Sequence, residues 1–185
     1  RGTRVVLVNP YHEPGMQRYW VPSDARSALF GSDLATDWFA VRPGGDIALI
    51  YGALKYLLAH DGIDTAFVAA HTTGYAALRE RIESLDWSEL EADAGLPRAR
   101  LEEFGALLAR ARTGVLVWSM GITQSPAGAD GVRQILNLAL ARGWIGREHC
   151  GAMPIRGHSS VQGGAEMGCY STALPGGKPI THANA

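Results

Sequence analysis

The chain has 185 residues, 46% of them apolar, enough to bury the core of one domain. Seventeen Lys and Arg against eighteen Asp and Glu leave a formal net charge of −1, which gives no electrostatic case for nucleic acid or an anionic membrane as partner. No apolar run approaches the ~18 residues that a membrane-spanning helix needs.

The chain opens on Arg1 rather than Met, with a strand-like run almost at once, so it reads as a piece of a longer protein and leaves a signal peptide upstream open. That run, RVVLVN (residues 4–9), is apolar and β-branched and ends at Pro10, as a buried strand would. Residues 10–36 mix Pro, Gly, Ser and aromatics and read as loop with room for one helical turn. DWFAV (37–41) reads as a second short strand. After RPGGD (42–46), Ile47, Ile50, Tyr51, Leu54, Leu57 and Leu58 recur at helical spacing, with Asp46 in the first turn and Gly62 past the end.

Residues 64–111 read as all helix. Tyr75, Leu78 and Ile82 mark one stripe; Ser88 followed by Glu91 predicts a capping box, and Gly95 a stop. Pro97 opens a further helix with Leu101, Phe104, Leu107 and Leu108 inside. GVLVWS (114–119) is the best strand, and Val132, Ile135, Leu136, Ala139 and Leu140 mark a helix ending near Gly143. Residues 151–185 show no period of their own. Strand, helices, strand and helix in this order predict an α/β fold with a parallel sheet, of which only part is visible.

Ligands of such sheets sit beyond the carboxyl ends of strands. Three segments fall there: NPYHEP (9–14), RPGGD (42–46) and SMGITQ (119–124). Gly44 and Gly45 would let the backbone approach a base or phosphate, and Asp46 could accept two parallel hydrogen bonds from the N–H edge of guanine. The plainer alternative is a Pro-Gly-Gly turn with an acidic residue favouring a helix N-terminus. In SMGITQ, Met120 and Gln124 could touch a ligand's ring and polar edge, or Met120 could simply fill the core. In PIRGHSSVQGGAEMG (154–168), Arg156 could grip an oxyanion through two N–H groups and His158 could shuttle a proton, unless both lie on a solvated loop. No Gly-x-Gly-x-x-Gly fingerprint is present, so an ordinary NAD site is not supported. His12, His60, His71, His149 and His182 lack metal-ligand spacing, and no metal ligand is assigned to this chain. Cys150 and Cys169 read as free thiols of a reducing, cytoplasmic compartment.

Taken together, WSMGITQSPAGADGVRQILNLALARGWIG and PIRGHSSVQGGAEMG, with RVVLVNP, VRPGGDIALIYGAL and AFVAAHTTGY before them, resemble the molybdopterin oxidoreductases, and among these the formate dehydrogenase alpha subunits. The resemblance covers almost the whole chain. It implies one internal domain of a larger catalytic subunit: a doubly wound, Rossmann-like α/β domain with a mainly parallel sheet, of the formate dehydrogenase and DMSO reductase type. That domain would span residues 1–150, and a glycine-rich segment, 151–185, would cross to a neighbouring domain.

The implied cofactor is a bis-molybdopterin guanine dinucleotide carrying molybdenum or tungsten in the full-length protein, with none necessarily bound to this piece alone. The resemblance places Asn9, Pro10, Tyr11 and His12 facing that dinucleotide, Gly44, Gly45 and Asp46 on the guanine, and Met120 and Gln124 on the pterin–phosphate portion. Gly157 and Gln162 belong to the crossing segment that lines the cofactor. Arg156 matches the arginine that orients an anionic substrate, with His158 beside it as a second catalytic candidate. Implied partners are the remaining domains, a small oxyanion substrate and an electron acceptor. Many family members have aspartate where Asn9 stands and arginine where Tyr11 stands; formate dehydrogenases commonly have glutamine where His158 stands, which points away from formate. The family's molybdenum ligand lies upstream of the position of Arg1, and Cys169 does not replace it. The 185 residues alone are therefore expected to be inactive. Two other readings explain less: a scaffold that has lost its cofactor, which should have eroded the polar residues, and the central domain of a thiamine-dependent enzyme, which leaves PIRGHSSVQGG without a role.

Overall fold

The computed structural model describes residues 3–168, 173–174 and 177–183. Its first strand, β1 (Val6–Val8), is followed by α1 (Pro14–Gln17), β2 (Arg18–Tyr19), α2 (Ala25–Phe30) and β3 (Ser32–Asp33) before β4 (Asp37–Phe39). β1 and β4 pair in parallel, Val6 opposite Asp37 and Val8 opposite Phe39, while β2 and β3 form a small antiparallel pair. Residues 10–36 are thus more ordered than the expected loop. Asp24 caps α2 by accepting from the Ser27 N–H at 2.9 Å, and Ser27, buried, bonds the backbone of Val21 and the hydroxyl of Ser32.

The centre of the molecule is α3 (Asp46–Ala59). Leu49, Ile50, Leu54 and Leu57 are buried together with Ala48, Gly52 and Ala53, a spread too wide for a one-sided amphipathic helix. Around it lie α4 (Thr65–His71), α5 (Tyr75–Ser84), α6 (Trp87–Ala94) and α7 (Arg98–Arg110), the run of helices that the periodicity predicts. α3 and α7 approach closely because Gly105 faces Tyr56: a Cβ on Gly105 would lie 2.5 Å from the Tyr56 Cβ. Leu101, Leu107 and Leu108 fill the seam, and Phe104 meets Phe39 edge-on with ring centroids 5.0 Å apart.

The predicted capping box is absent. Asp86, not a residue paired with Glu91, precedes α6, and Ser88 lies inside the helix. Glu91 instead reaches forward, its carboxylate accepting from the Arg98 N–H at 2.6 Å, so it serves the start of α7. Gly95 ends α6 in the left-handed region, φ 68°, as predicted.

β5 (Val115–Trp118), α8 (Met120–Thr123), α9 (Gly128–Ala141) and β6 (Gly151–Pro154) follow. β5 and β6 pair in parallel, Val115 opposite Gly151. Ile135, Leu138 and Ala139 give α9 its buried face, whereas Leu136 is exposed. Arg142, just past α9, ties three chain segments together: its guanidinium donates to the carbonyls of Gly62 and of Ala111 (2.8 Å), and it lies over the Trp144 ring. Last come α10 (Val161–Glu166), β7 (Ala173–Leu174) and β8 (Lys178–Pro179), the two strands antiparallel. The segment from residue 151 therefore begins as a strand of the β5–β6 pair.

The chain is mixed α/β with small parallel sheets, but a continuous doubly wound sheet is not formed among the described residues, which hold four two-stranded sheets. The physical reason is the stretch 46–110: four helices succeed α3 with no strand between them, so no further strand is added beside β4. Cys150 is a half-buried free thiol; Cys169 lies outside the described residues.

Candidate cofactor site

The predicted site residues fall into three groups at the carboxyl ends of the parallel strands. After β1, Asn9 extends the pairing by donating its N–H to the Phe39 carbonyl at 3.2 Å. Its side-chain amide donates to the Tyr11 carbonyl at 2.6 Å, closing the turn over Pro10. His12 stacks on Trp38, ring centroids 4.0 Å apart and 6° from parallel, and the Trp38 indole N–H is held by the Asn9 carbonyl at 2.8 Å. Tyr11 is exposed. Trp38 is a member of this turn that sequence reasoning did not single out. Its signal is the period of two in DWF, where Phe39 is buried in the core and its neighbour takes the opposite face.

The second group is the turn into α3. Arg42 donates its backbone N–H to the Ala94 carbonyl (2.9 Å) and its guanidinium to the Ala92 carbonyl (2.9 Å), fixing the turn to the end of α6. Gly44 has φ +85° and open space where a Cβ would stand. Gly45 is required for another reason, because a Cβ there would meet the Asp93 carbonyl at 2.8 Å. Thus Gly45 serves packing against α6, and the plain turn reading accounts for it. It also places Asp46, the first residue of α3, where a helix N-terminus favours an acidic side chain. That half-buried carboxyl is pushed above the ordinary aspartate range by desolvation, offset in part by its own backbone N–H, and no other residue among those described hydrogen-bonds to it. It is a carboxylate with spare acceptor capacity at a helix N-terminus.

The third group joins α8 to the segment after β6. Ile155 donates its N–H to the Trp118 carbonyl at 2.7 Å, and the Ser119 hydroxyl donates to the Ile155 carbonyl at 2.7 Å. Met120 lies against Gly157, where a Cβ would sit 2.7 Å from the Met120 sulfur; Met120 is partly exposed and is not core filler. The Gln124 side-chain amide lies 3.6 Å from the same sulfur. The Arg156 Nε donates to Gln162 Oε1 at 2.7 Å, and Gln162 Nε2 donates to Glu166 Oε1 at 3.0 Å. Glu166 is the second member that sequence reasoning missed; its signal is the i, i+4 spacing from Gln162. His158 is exposed and its ring makes no hydrogen bond among the described residues. Met120, Gln124, Arg156, Gly157 and Gln162 are therefore assembled, while no hydrogen bond or ring contact among the described residues links them to Asp46 or to the Asn9–His12 turn.

The donor set fits a nucleotide better than a metal ion. Asp46 offers a carboxylate to paired N–H donors, and a Cβ on Gly44 would meet nothing within 4 Å. No group of three or more His, Cys, Asp or Glu suited to a metal occurs among the described residues.

The chain is 33% identical over 180 residues to Protein YdeP of Escherichia coli K12, covering 91% of this chain and 24% of that protein. It is 31% identical over 176 residues to the uncharacterized oxidoreductase Mb2924c of Mycobacterium bovis, covering 91% of this chain and 23% of that one. The chain thus spans about a quarter of the length of these relatives. Among solved structures, acetylene hydratase from Pelobacter acetylenicus has the same fold over 80% of this chain and 18% of its own, with a TM-score of 0.64 at 16% identity. No protein-family model matches.

Proposed function

We propose that this chain, homologous to one segment of the molybdopterin oxidoreductases, holds the guanosine end of one molybdopterin guanine dinucleotide inside a larger, formate dehydrogenase-like catalytic subunit. The observation that carries the reading is Asp46. A half-buried carboxylate with raised proton affinity and, among the described residues, no partner besides its own backbone N–H is costly for the fold alone. Guanine offers two adjacent N–H donors that would satisfy it, and adenine does not.

The other residues take the roles that their places allow. The Asn9–His12 turn, stiffened by the His12–Trp38 stack, faces the dinucleotide. Gly44 admits the base, and Gly45 sets the turn. Met120 and Gln124 meet the pterin–phosphate portion, with Gly157 and Gln162 lining the same wall. Arg156 orients a small oxyanion, and His158, next but one along the chain, holds or releases a proton there. When bound, the cofactor would supply the metal and the electron transfer. The metal's protein ligand would come from elsewhere in the larger protein, and the 185 residues alone would turn over nothing. His158, standing where formate dehydrogenases commonly have glutamine, favours an oxyanion other than formate.

The test is the metal and pterin content of the full-length protein, matured in a molybdenum-replete host beside its Asp46→Ala, Gln124→Ala variant. Molybdenum or tungsten with pterin guanine dinucleotide in the wild type, depleted in the variant, is expected. A folded wild type without either, from a host that loads a control enzyme, would leave a scaffold that has lost its cofactor.

A further inference from the structure

We propose that Gln162 and Glu166 are positioning residues that hold the Arg156 guanidinium by its Nε edge and leave its Nη groups free for a small planar oxyanion. The inference rests on the reading of Arg156 as the anion-orienting group. A guanidinium only donates hydrogen bonds and a carboxylate only accepts them, whereas an amide does both and can be turned end for end. Gln162 sits between the two, with Oε1 2.7 Å from the Arg156 Nε and Nε2 3.0 Å from Glu166 Oε1. Only this orientation of the amide satisfies both neighbours. Glu166 therefore decides which end of Gln162 faces the arginine, and Gln162 decides which edge of the arginine is used.

The backbone behind Arg156 is fixed independently. Ile155 is hydrogen-bonded to Trp118 and Ser119, and Gly157 lies under Met120, so the side chain swings from a firm base. No acidic side chain among the described residues pairs with Arg156, although many other arginines, such as Arg79, Arg98 and Arg133, hold a carboxylate one helical turn away. The spare donors of Arg156 form a flat two-pronged edge, the geometry that grips a carboxylate or another trigonal oxyanion.

The test uses protein labelled with 15N at the arginine Nε, the Arg156 signal being assigned with Arg156→Lys, and nitrate as the anion. Hydrogen exchange at the Arg156 Nε is expected to be about tenfold slower in the wild type than in Gln162→Leu, the equivalent of one charge-assisted hydrogen bond. Glu166→Gln, which can still accept, should keep the protection, and Glu166→Lys, which can only donate, should lose it. Nitrate binding at Arg156 should weaken about tenfold in Gln162→Leu on the same scale. Equal exchange in wild type and a Gln162→Leu protein of unchanged circular dichroism would overturn the proposal. So would a nitrate response at Arg156 that is absent from the wild type or indifferent to Gln162. Both readouts work without cofactor, so a protected, nitrate-binding Arg156 in a protein that takes up no pterin would refute the cofactor reading and leave this one standing.

Discussion

At the scale of single residues, the two aspartates with shifted proton affinities pull stability in opposite directions. Asp37 is held below the ordinary range first by its two hydrogen bonds from Arg4, both 2.6 Å, against a desolvation cost. Its contribution is present above the unfolded aspartate pKa and is lost as pH falls through its depressed folded value. Asp46 is the reverse. Its raised folded value means that the ionised carboxylate opposes folding at neutral pH; the penalty fades as pH falls through that raised value and is gone below the unfolded one. Asp46→Asn should therefore raise the thermal midpoint at pH 7, with the advantage shrinking in acid, while reducing the guanine dinucleotide retained by the full-length protein. Equal midpoints at pH 7 would argue that the carboxylate is solvated after all. Arg142 gives the largest expected single-residue loss of stability. Its charge is disfavoured by burial, its Nε is buried without a partner among the described residues, and its terminal nitrogens hold the carbonyls of Gly62 and Ala111. Arg142→Ala should cost ~2–4 kcal/mol in urea denaturation, because buried carbonyls lose their donors.

Within elements, small residues mark where backbones touch. Gly105→Ala should push α7 off Tyr56 and cost ~1–3 kcal/mol, the usual penalty of overpacking, whereas Ala at the open Gly121 should be tolerated. Differential scanning calorimetry of both variants checks the contrast. The long helices were legible in the sequence because apolar residues recur in phase over many turns: α3, α7 and α9 lie where the periodicity puts them. The short elements between residues 10 and 36 were not. Two- to six-residue pieces carry too few positions to show a period, and they are held by side-chain bonds such as Ser27 to Ser32 and Trp20 to Ala28. The Ser88–Glu91 pair has the spacing of a cap, but the chain enters α6 one residue earlier than Ser88, and Glu91 is taken by Arg98. Of the candidate site, the glycines and polar residues were legible as types at strand ends. The Trp38 platform and the Glu166 support were not, since each acts through a neighbour fixed only in three dimensions.

Taken whole, the molecule leaves more surface in water than its size requires. A folded monomer of 19.8 kDa scales to about 8,600 Å² of accessible surface, against 11,994 Å² here. Part of the excess is apolar: Val115, Val117 and Met153 on the β5–β6 pair, and Trp20, Leu29 and Phe30 beside the small antiparallel pair. No helix among the described residues is long and apolar enough to cross a membrane. Exposed apolar patches of this kind promote association. The isolated 185 residues should gain mass with concentration in sedimentation equilibrium, and Val117→Lys should reduce that gain; a monodisperse monomer at all concentrations would contradict the expectation. The doubly wound, mainly parallel sheet that the resemblance implies is not formed among the described residues, since two short parallel pairs flank a helical core instead of one continuous sheet.

The most direct test of the cofactor reading is the nucleotide released by mild acid from the full-length protein and from its Asp46→Ala variant. A guanosine nucleotide from the wild type, falling clearly in the variant while the protein stays folded, is the predicted result. Undiminished guanosine nucleotide in the variant, or an adenosine nucleotide in its place, would contradict it.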